Sequence, residues 1–580
     1  MSSNAPPSEL KNALALMRPY FFRAIGFSLV TSLLVLSSSW YMLEVYDRVI
    51  NSRNHMTLIM LTLMVLVAYA VMEMIEWART TLMHEAAHSF DLHLRGRVFQ
   101  AIFEANLKRI PGGSLQPMND FKTIRDFLSA PALFAVMEAP ASLVFLVLVF
   151  AVNPWLGGFT LVCAFVQVVI AWLNERSTQP PLMEANKAAI AAQQYADGSL
   201  RNAQVIESMG MIKDIHKRWM TKQQEFLGLQ AHASDRAGTF QSMSKFWQNV
   251  VSSSLLGLGC LALLQGQLNG GSGMMIVVSI LGGRVLSPLV QVVGQWQAVV
   301  NVRDAWDRLE RLLAAVPAKV PGMSLPAPQG NLQVEGLMAS APGSQTPILR
   351  GIAFSLQAGE VLAVVGPSAS GKTTLARLLV GLWPSAGGKV RLGGADVYTW
   401  DKSELGPHIG YLPQGVELFD GTLAENIARF GEVDPSKVEA AARAVGLHEL
   451  IMALPNGYES QVGREGMMLS GGQRQRVGLA RAIYGEPVFV VLDEPNSSLD
   501  EAGDLALANA IAALKGRGTT FVVMTHRTSV LAVADKMLVV RDGQTQAFGP
   551  RDEVLAALNK ANAQAQQATA AKAPPRLAAA

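Results

Sequence analysis

Cysteine and charge are both scarce in this 580-residue sequence. The two cysteines, Cys163 and Cys260, lie inside apolar segments, which excludes a disulfide framework and is typical of small hydrophobic side chains in helices. The nine histidines are scattered without the spacing of metal ligands. A net charge of +3 is too small to indicate a nucleic-acid partner, and we expect none.

Charged residues make up 16% of the chain, against about a quarter in ordinary soluble proteins, and the deficit is concentrated before about residue 300. Six apolar segments in that half reach the length of about 20 residues that a helix needs to cross a bilayer. They are residues 21–43, 58–74, 131–152, 156–173, 246–264 and 274–296. The first begins too late and is too long to be a signal peptide. The sequence therefore predicts an all-helical membrane domain with six spans in a lipid bilayer.

Lysine and arginine are unevenly distributed around these spans. The second and fourth connections are rich in both, whereas the first, third and fifth are short and nearly free of them. The basic residues are Lys11, Arg18 and Arg23 before the first span, Arg95, Arg97, Lys108, Arg109, Lys122 and Arg125 in the second connection, and Lys213, Lys217, Arg218 and Lys222 in the fourth. The positive-inside rule then predicts six passes with both termini in the cytoplasm.

The second and fourth connections are also long enough to continue as helices beyond the bilayer. Their tips, DFKTIRDFLSA and GSLRNAQVIESMGM, mix apolar and charged residues at helical spacing. Such tips are either docking elements for an attached domain or ordinary solvated helix surface, and the ATPase domain described below favours docking. Glu138 and Arg284 fall inside predicted spans. Because charge within a bilayer is costly, each either lines a path or lies at the interface.

A phosphate-binding loop follows the membrane segments. GPSASGKT fits the pattern G-x-x-x-x-G-K-[ST]; it follows an apolar run at 361–365 and precedes leucines at helical spacing. Backbone amides and the helix N-terminus bind phosphate oxygens in such a loop, Lys372 supplies a cation to the β- and γ-phosphates, and the Thr373 hydroxyl ligates Mg²⁺. The predicted ATP-binding residues are Gly366, Pro367, Ser368, Ala369, Ser370, Gly371, Lys372, Thr373 and Thr374.

Four further strings place polar residues beside apolar segments. FVVLDEP ends a predicted strand in Asp493, a candidate Mg²⁺ ligand, and Glu494, which is placed to take a proton from an attacking water. LSGGQRQR opens a helix and makes a second anion-binding helix start. VVMTHRTSV places His526 beyond a third strand, and Gln414 lies in a loop within YLPQGVELFDGTLAENI. Each string alone is ordinary, but together and in this order they predict an α/β P-loop ATPase.

Residues 331–557 resemble the nucleotide-binding domain of an ABC transporter, since the Walker A loop, Q-loop, LSGGQ signature, Walker B strand and H-loop follow in family order. The resemblance implies that Gln414 lies near Mg²⁺ and the lytic water, that Glu494 is the general base and that His526 contacts the γ-phosphate. It also implies that the signature caps ATP bound to a partner subunit and that a D-loop aspartate follows the Walker B strand. The residues concerned are Ser470, Gly471, Gly472, Gln473 and Asp500.

The resemblance thus implies three catalytic residues, Glu494, His526 and Gln414, and three Mg²⁺ ligands, Thr373, Gln414 and Asp493. Exporters of this family usually carry an aromatic residue ahead of the first strand that stacks on adenine, whereas VEGLMASAPGSQTPILRG has none. We therefore expect base affinity to rest on apolar packing. One set of spans and one nucleotide site make half a transporter, so the resemblance implies a homodimer.

Longer strings resemble the protease- and lipase-exporting ATPases of type I secretion systems, over nearly the whole chain. They are YMLEVYDRVINSRN, RNAQVIESMGM, SILGGRVLSPLVQVVGQW and LARAIYGEPVFVVLDEPNSSLD. The resemblance implies an inner-membrane exporter of a Gram-negative bacterium that works with a membrane-fusion protein and an outer-membrane channel. Its cargo would be unfolded protein with an uncleaved C-terminal signal. The N-terminus has no room for the peptidase or peptidase-like domains of related exporters.

Two other functions remain open from the sequence. A lipid or drug flippase would be favoured by a large charged inner cavity, but the spans are charge-poor. A soluble ABC ATPase that remodels nucleic acid or ribosomes would require the six apolar segments to be a buried helical core. The predicted organisation is a cytoplasmic segment 1–20, a transmembrane domain 21–310, a linker 311–330, a nucleotide-binding domain 331–557 and a low-complexity tail 558–580.

Overall fold

The computed structural model describes residues 8–268, 273–318, 323–341, 344, 346–463, 466 and 468–560. The chain divides into two compact units between residues 318 and 319, with residues 107–109 grouped with the second unit. Of the predicted tail, residues 558–560 end a helical stretch that begins at 551, and 561–580 lie outside the described residues. Residues 1–7 of the predicted N-terminal segment also lie outside them.

The first unit is helical throughout. Its helices are α1 Glu9–Leu16, α2 Arg18–Glu44, α3 Ile50–Ser52, α4 His55–Leu107, α5 Gln116–Phe127, α6 Pro131–Val152, α7 Pro154–Arg201, α8 Ala203–Ser208, α9 Ile212–Leu264, α10 Gly273–Gly294 and α11 Trp296–Ala315, with a π-helical turn Val45–Val49 between α2 and α3. Six helical stretches are long and apolar enough to cross a membrane, which confirms the predicted number of spans. In α4, 6% of the most apolar window is buried within the chain.

Two of these helices are much longer than a bilayer is thick. α4 and α9 each contain 53 residues, and at 1.5 Å per residue they are about 80 Å long, against about 30 Å of hydrocarbon. The second and fourth connections therefore continue as helices, as expected. The short helices α5 and α8 occupy the two predicted tips. That these tips dock on the ATPase unit remains a prediction.

The first and last predicted spans end at different residues in the structure. The first continues beyond residue 43 to Ser52, through the π-helical turn and α3. Arg53, with a φ of 49°, reverses the chain in a left-handed conformation before α4 begins. The sixth ends at Gly294 rather than 296, because the low helix propensity of glycine coincides with a non-helical Gln295. α11 then continues to 315, past the predicted start of the linker at 311.

An ion-pair cluster joins three spans and accounts for Glu138. Arg79 of α4, whose side chain is 3% exposed, donates from Nη1 to Glu138 Oε1 of α6 at 2.8 Å and to Ser28 Oγ of α2 at 3.0 Å. Its Nη2 donates to Glu76 Oε1 at 2.9 Å, and the guanidinium lies 4.7 Å from the centre of the Phe134 ring. Glu138 is therefore the ion-pair partner of a buried arginine.

Arg284 differs from Glu138 in its surroundings. It is exposed on α10, and among the described residues its guanidinium has no hydrogen bond or ion pair. The two charges that the sequence singles out in the spans thus have different environments. Glu138 joins α6 to α4 through its ion pair with Arg79.

Within the described residues, the second unit contains ten strands, eight numbered α-helices and the helical stretch that begins at 551. The strands are β1 Leu332–Ser340, β2 Pro347–Leu356, β3 Val361–Val365, β4 Gly387–Leu392, β5 Ala395–Asp396, β6 Ile409–Leu412, β7 Phe489–Asp493, β8 Thr520–Met524, β9 Lys536–Arg541 and β10 Gln544–Pro550. The helices are α12 Lys372–Leu379, α13 Lys402–Leu405, α14 Leu423–Ile427, α15 Pro435–Ala444, α16 His448–Met452, α17 Gly471–Ile483, α18 Glu501–Lys515 and α19 Thr528–Val533, with 3₁₀ turns Gly406–His408 and Gly457–Glu459.

A six-stranded sheet in the order β10-β9-β3-β8-β7-β6 forms the centre of this unit. All neighbours are parallel except β10 and β9. β7 and β8 are buried along their whole length, and apart from Asp493 at the end of β7 and Thr520 at the start of β8 they are apolar, as is typical of interior parallel strands. The fold class predicted from the sequence, a six-helix membrane domain followed by an α/β domain, is confirmed.

Candidate functional site

The sheet order brings the predicted ATP-site residues to one edge. β3, β8, β7 and β6 are neighbouring parallel strands, so their carboxyl ends lie side by side. The chain continues from these ends into the Walker A loop, the segment with His526, the acidic pair Asp493 and Glu494, and the loop with Gln414. Ligands of open parallel sheets bind at this edge.

The Walker A loop is shaped by residues that cannot carry a larger side chain. A Cβ on Gly366 would lie 2.1 Å from the carbonyl oxygen of Val540, and Gly371 has a φ of 101° with Leu349 Cδ2 2.6 Å from the Cβ position. Ala369 also adopts a left-handed conformation, with a φ of 65°. The loop carries the chain from β3 into α12, whose N-terminus faces the same edge of the sheet.

Lys372 is folded back over this loop. Its Nζ donates to the carbonyl oxygens of Gly366 at 2.7 Å and Pro367 at 3.1 Å, and the residue is 6% exposed. The hydroxyl of Ser370 is buried without a hydrogen-bond partner among the described residues. Pro367, Ser368 and Ala369 are exposed, whereas Thr374 is buried within α12. The loop thus offers backbone amides, a cation and a free hydroxyl to a ligand.

Asp493 lies fully buried at the end of β7. Burial raises the pKa of its carboxyl and the Thr373 hydroxyl lowers it in part, while Glu494 raises it and Arg377 and Lys372 lower it. Neither carboxylate oxygen has a donor in hydrogen-bonding geometry among the described residues. A buried carboxylate with free lone pairs, beside the Thr373 hydroxyl, is a donor set that suits a hard divalent cation such as Mg²⁺.

Glu494 adopts an unusual backbone conformation with a φ of 52°, which is uncommon for a residue with a side chain. Its backbone N–H donates to the Met524 carbonyl at 3.0 Å. Its carboxylate Oε2 accepts a hydrogen bond from Gln414 Nε2 at 3.0 Å. Glu494 also lines a cavity of about 120 Å³ together with His526, Asn496, Ser497, Thr525 and Arg527. The structure thus brings Gln414, Glu494 and His526 to one place, beside Asp493.

The signature residues form the N-terminus of a different helix, α17. Ser470 caps this helix in a reciprocal pair: its Oγ accepts from the Gln473 N–H at 3.2 Å and its own N–H donates to Gln473 Oε1 at 2.8 Å. A Cβ on Gly472 would lie 2.8 Å from the Ser498 carbonyl oxygen, so only glycine fits there. Gly471 is exposed. Within the described residues, no hydrogen bond joins residues 470–473 to the Walker A loop.

Asp500 caps α18, as its Oδ1 accepts from the Gly503 N–H at 2.9 Å. It also forms an ion pair with Arg476 of α17. The Gly503 N–H and the Arg476 guanidinium together lower the pKa of the Asp500 carboxyl. The predicted D-loop aspartate is therefore tied to the signature helix of its own chain.

Part of the string predicted to lie near adenine is outside the described residues. Residues 342, 343 and 345 of the string that lacks an aromatic residue lie outside the described part of the chain. Of the string's described residues, Leu349 and Ile348 lie close to the loop, with Leu349 Cδ2 2.6 Å and Ile348 Cγ2 3.4 Å from the position of a Cβ on Gly371. The prediction of apolar packing on the base stays a prediction.

Gln475 contacts the segment that contains Glu494, but it is not among the site residues predicted from the sequence. The residue is 3% exposed, and its side chain extends from α17 to the segment after β7. The spacing to Gly478 and Leu479, three and four residues on, could have placed it on the buried face of the helix. A buried amide on such a face needs polar partners, and that requirement is the signal in the sequence.

Two family models match the chain. The model described as "ABC transporter" matches residues 349–497, and the model described as "ABC transporter transmembrane region" matches residues 21–285. Among solved structures, a bacterial Atm1-family ABC exporter with ATP bound has a TM-score of 0.79 and 21% identity, and the match covers 93% of this chain and 97% of that chain. That likeness shows the exporter fold.

Curated relatives narrow the family. The type I secretion system ATP-binding protein PrsD of Rhizobium meliloti (strain 1021) is 40% identical over 554 residues, 95% of this chain and 94% of that protein. The toxin RTX-I translocation ATP-binding protein of Actinobacillus pleuropneumoniae is 26% identical over 93% of this chain and 77% of its own. Human ATP-binding cassette sub-family B member 6 is 41% identical over 218 residues, 37% of this chain and 25% of its own. The chain therefore belongs to the ABC transporters, in the family of type I secretion system permease/ATPases, and couples ATP hydrolysis to transport.

Proposed function

We propose that this exporter moves unfolded protein with a C-terminal signal out of a Gram-negative cell, as the inner-membrane component of a type I secretion system. The observation that carries the proposal is the 40% identity to PrsD over 95% of the chain. Similarity of that extent includes the membrane unit, which would contain the path for cargo. The match to sub-family B member 6, over 218 residues, is too short to include both units.

The charge distribution of the spans supports a polypeptide cargo. Of the two charges singled out in the spans, Glu138 is neutralised by Arg79, which leaves Arg284 as the exposed one. A chain of varied sequence that slides through the membrane should meet few fixed charges able to hold it. The basic second and fourth connections support an orientation with both termini in the cytoplasm, where ATP is available to the second unit.

Within the ATPase unit, the geometry supports specific roles for the residues at the sheet edge. The Walker A loop and Lys372 would bind the phosphates of ATP, and Thr373, Asp493 and Gln414 would hold Mg²⁺, which neutralises charge on the phosphates when bound. Glu494, held by Gln414 at 3.0 Å, would accept the proton of the attacking water. His526 would contact the γ-phosphate from the same cavity.

A homodimer completes the proposed site. Ser470 to Gln473 form a helix N-terminus that is well suited to an anion, yet they make no hydrogen bond to the Walker A loop within the described residues of their own chain. We infer that they serve ATP bound to the partner subunit. A membrane-fusion protein and an outer-membrane channel would then continue the path outward.

Reconstituted secretion tests the cargo. The chain would be co-expressed with a fusion protein, a channel and a cognate secreted protein, and the cargo measured in medium, periplasm and cytoplasm. We expect export to the medium in one step, lost when the last few dozen residues of the cargo are deleted. A Lys372→Ala chain at equal abundance is the matched control for leakage.

Two results would contradict the proposal. Export that does not depend on the C-terminus of the cargo would show that no C-terminal signal is recognised. Cargo that accumulates in the periplasm would show that export does not occur in one step. ATPase activity stimulated by lipids or drugs, with no effect of the cargo, would favour a flippase.

A further inference from the structure

The side chain of Gln475 uses its full hydrogen-bonding capacity on one short segment. Its Nε2 donates to the carbonyl oxygens of Glu494 at 3.2 Å and Pro495 at 2.6 Å. Its Oε1 accepts from the Ser498 N–H at 2.9 Å and the Ser497 hydroxyl at 3.2 Å. An amide has two N–H donors and one oxygen with two lone pairs, so no capacity is left over.

The segment that Gln475 holds begins at the proposed catalytic base. Glu494 has a left-handed backbone, which costs free energy and persists only where the surroundings enforce it. Its N–H is fixed by the Met524 carbonyl at 3.0 Å and its carbonyl oxygen by Gln475. Gln475 thus holds the peptide that aims the carboxylate toward Gln414.

Gln475 belongs to the helix that begins with the signature residues 470–473, and it therefore connects the signature to segment 494–498. Gln475 lies in α17 about one turn beyond the capping pair Ser470 and Gln473, and a helix turn is stiff enough to carry a displacement. Two more contacts tie the same elements together. Arg476 forms an ion pair with Asp500, and Gly472 approaches the Ser498 carbonyl so closely that a Cβ would lie 2.8 Å away.

We propose that Gln475 is a positioning residue that locks the segment 494–498 to the signature helix, so that a displacement of the signature also displaces the peptide of Glu494. Under the proposed dimer, the signature serves ATP in one site and Glu494 serves ATP in the other. Gln475 then links the two sites through one chain. The inference rests on the proposed role of Glu494 and is independent of the cargo.

Gln475→Met in the full-length protein tests the proposal, because methionine keeps the length and approximate volume of the side chain without its hydrogen bonds. Arg474→Met is the matched control. It places the same side chain one residue earlier, and among the described residues Arg474 makes no side-chain hydrogen bond to segment 494–498. The readouts are hydrogen–deuterium exchange without nucleotide, ATP affinity, and kcat and KM.

Three results are expected together for Gln475→Met. The amides of segment 494–498, Ser498 above all, exchange faster than in the wild type. ATP affinity and KM stay within about threefold, while kcat falls by about 10- to 100-fold, the effect of misplacing a reacting group by about 1 Å. Arg474→Met leaves the exchange of this segment unchanged. Exchange is independent of the assignment of the base, so it distinguishes this proposal from the role of Glu494.

Wild-type exchange and kcat in Gln475→Met would overturn the proposal. An increase in KM with kcat unchanged would also overturn it, since Gln475 would then contribute to binding of ATP. Should Gln475→Met fail to fold, Gln475→Glu replaces it. That side chain still accepts from the Ser498 N–H but cannot donate to the carbonyls of Glu494 and Pro495. The fall in kcat with ATP affinity and KM kept then decides, without faster exchange at Ser498, and a wild-type kcat would overturn the proposal.

Discussion

Gln414 donates a hydrogen bond to the carboxylate of Glu494 across two neighbouring strand ends, with 3.0 Å between Nε2 and Oε2. The residues are 80 positions apart in sequence, and the parallel pairing of β6 with β7 brings them together. The contact occupies one carboxylate oxygen, and Glu494 also lines the cavity that His526 lines. This contact restrains the orientation of the carboxylate, which the proposed role as general base requires.

Glu494→Gln should therefore keep ATP binding and lose turnover. The amide retains the shape of the side chain but cannot take a proton, and we expect phosphate release to fall by about 10²- to 10⁴-fold. Binding of a fluorescent ATP analogue and steady-state phosphate release measure the two effects separately. Glu501→Gln, an exposed acid in the first turn of α18, is the control. Turnover of Glu494→Gln near the wild-type rate would assign the base to another residue.

Lys372→Ala should weaken ATP binding and turnover together. Its Nζ donates to the Gly366 carbonyl oxygen of the loop at 2.7 Å, and its removal would leave the phosphates without that charge. Lys389→Ala, an exposed lysine of β4 in the same unit, controls for loss of surface charge. The measurements are ATP affinity, phosphate release and export of cargo. Normal export from cells whose only copy is Lys372→Ala would show that this ATPase does not drive transport.

The local parts of the ATP site could be predicted from the sequence because their chemistry is local. A Walker A loop requires glycines, a lysine and a hydroxyl in consecutive positions between a strand and a helix, and the structure has that order. The six spans could be predicted for a similar reason, because a run of about 20 apolar residues is the length that a helix needs to cross the hydrocarbon core of a bilayer.

The remaining features depend on residues distant in sequence. Arg79 is the partner of Glu138 at a separation of 59 residues, and nothing near Glu138 in the sequence indicates it. Gln475 acquires its role only because α17 packs beside the segment after β7. The sixth span ends at Gly294 in the structure and at 296 in the prediction. The difference arises because one non-helical residue, Gln295, interrupts an otherwise apolar and helical pattern.

Mixed dimers should show whether each ATP site is shared between two chains. A subunit with Ser470→Arg, paired with a subunit with Lys372→Ala, leaves one composite site intact and disables the other. Placing both substitutions in one subunit type and assembling a homodimer disables both sites. We expect ATPase activity of the mixed dimer, purified through two different tags, to lie clearly above that of either single-variant homodimer. Background activity in the mixed dimer, equal to that of the two single-variant homodimers, would count against a site built across the interface.

The ion pair of Arg79 and Glu138 should contribute to the stability of the membrane unit. The arginine side chain is 3% exposed and the glutamate 28%, so Glu138→Leu leaves a buried cation with weaker compensation. Breaking a fully buried pair costs about 3–5 kcal/mol, and we expect about 2 kcal/mol here because Glu76 and Ser28 still bind the guanidinium.

The double variant Arg79→Leu with Glu138→Leu should recover part of that loss, because two apolar side chains replace both charges and no buried ion is left alone. The measurement is the thermal midpoint of the protein in lipid nanodiscs. Glu73→Leu, at an exposed position on α4, the helix that carries Arg79, controls for the loss of one carboxylate. A double variant less stable than Glu138→Leu alone would contradict the expectation. It would mean that Arg79 stabilises the spans mainly through Ser28, Glu76 and the Phe134 ring rather than through Glu138.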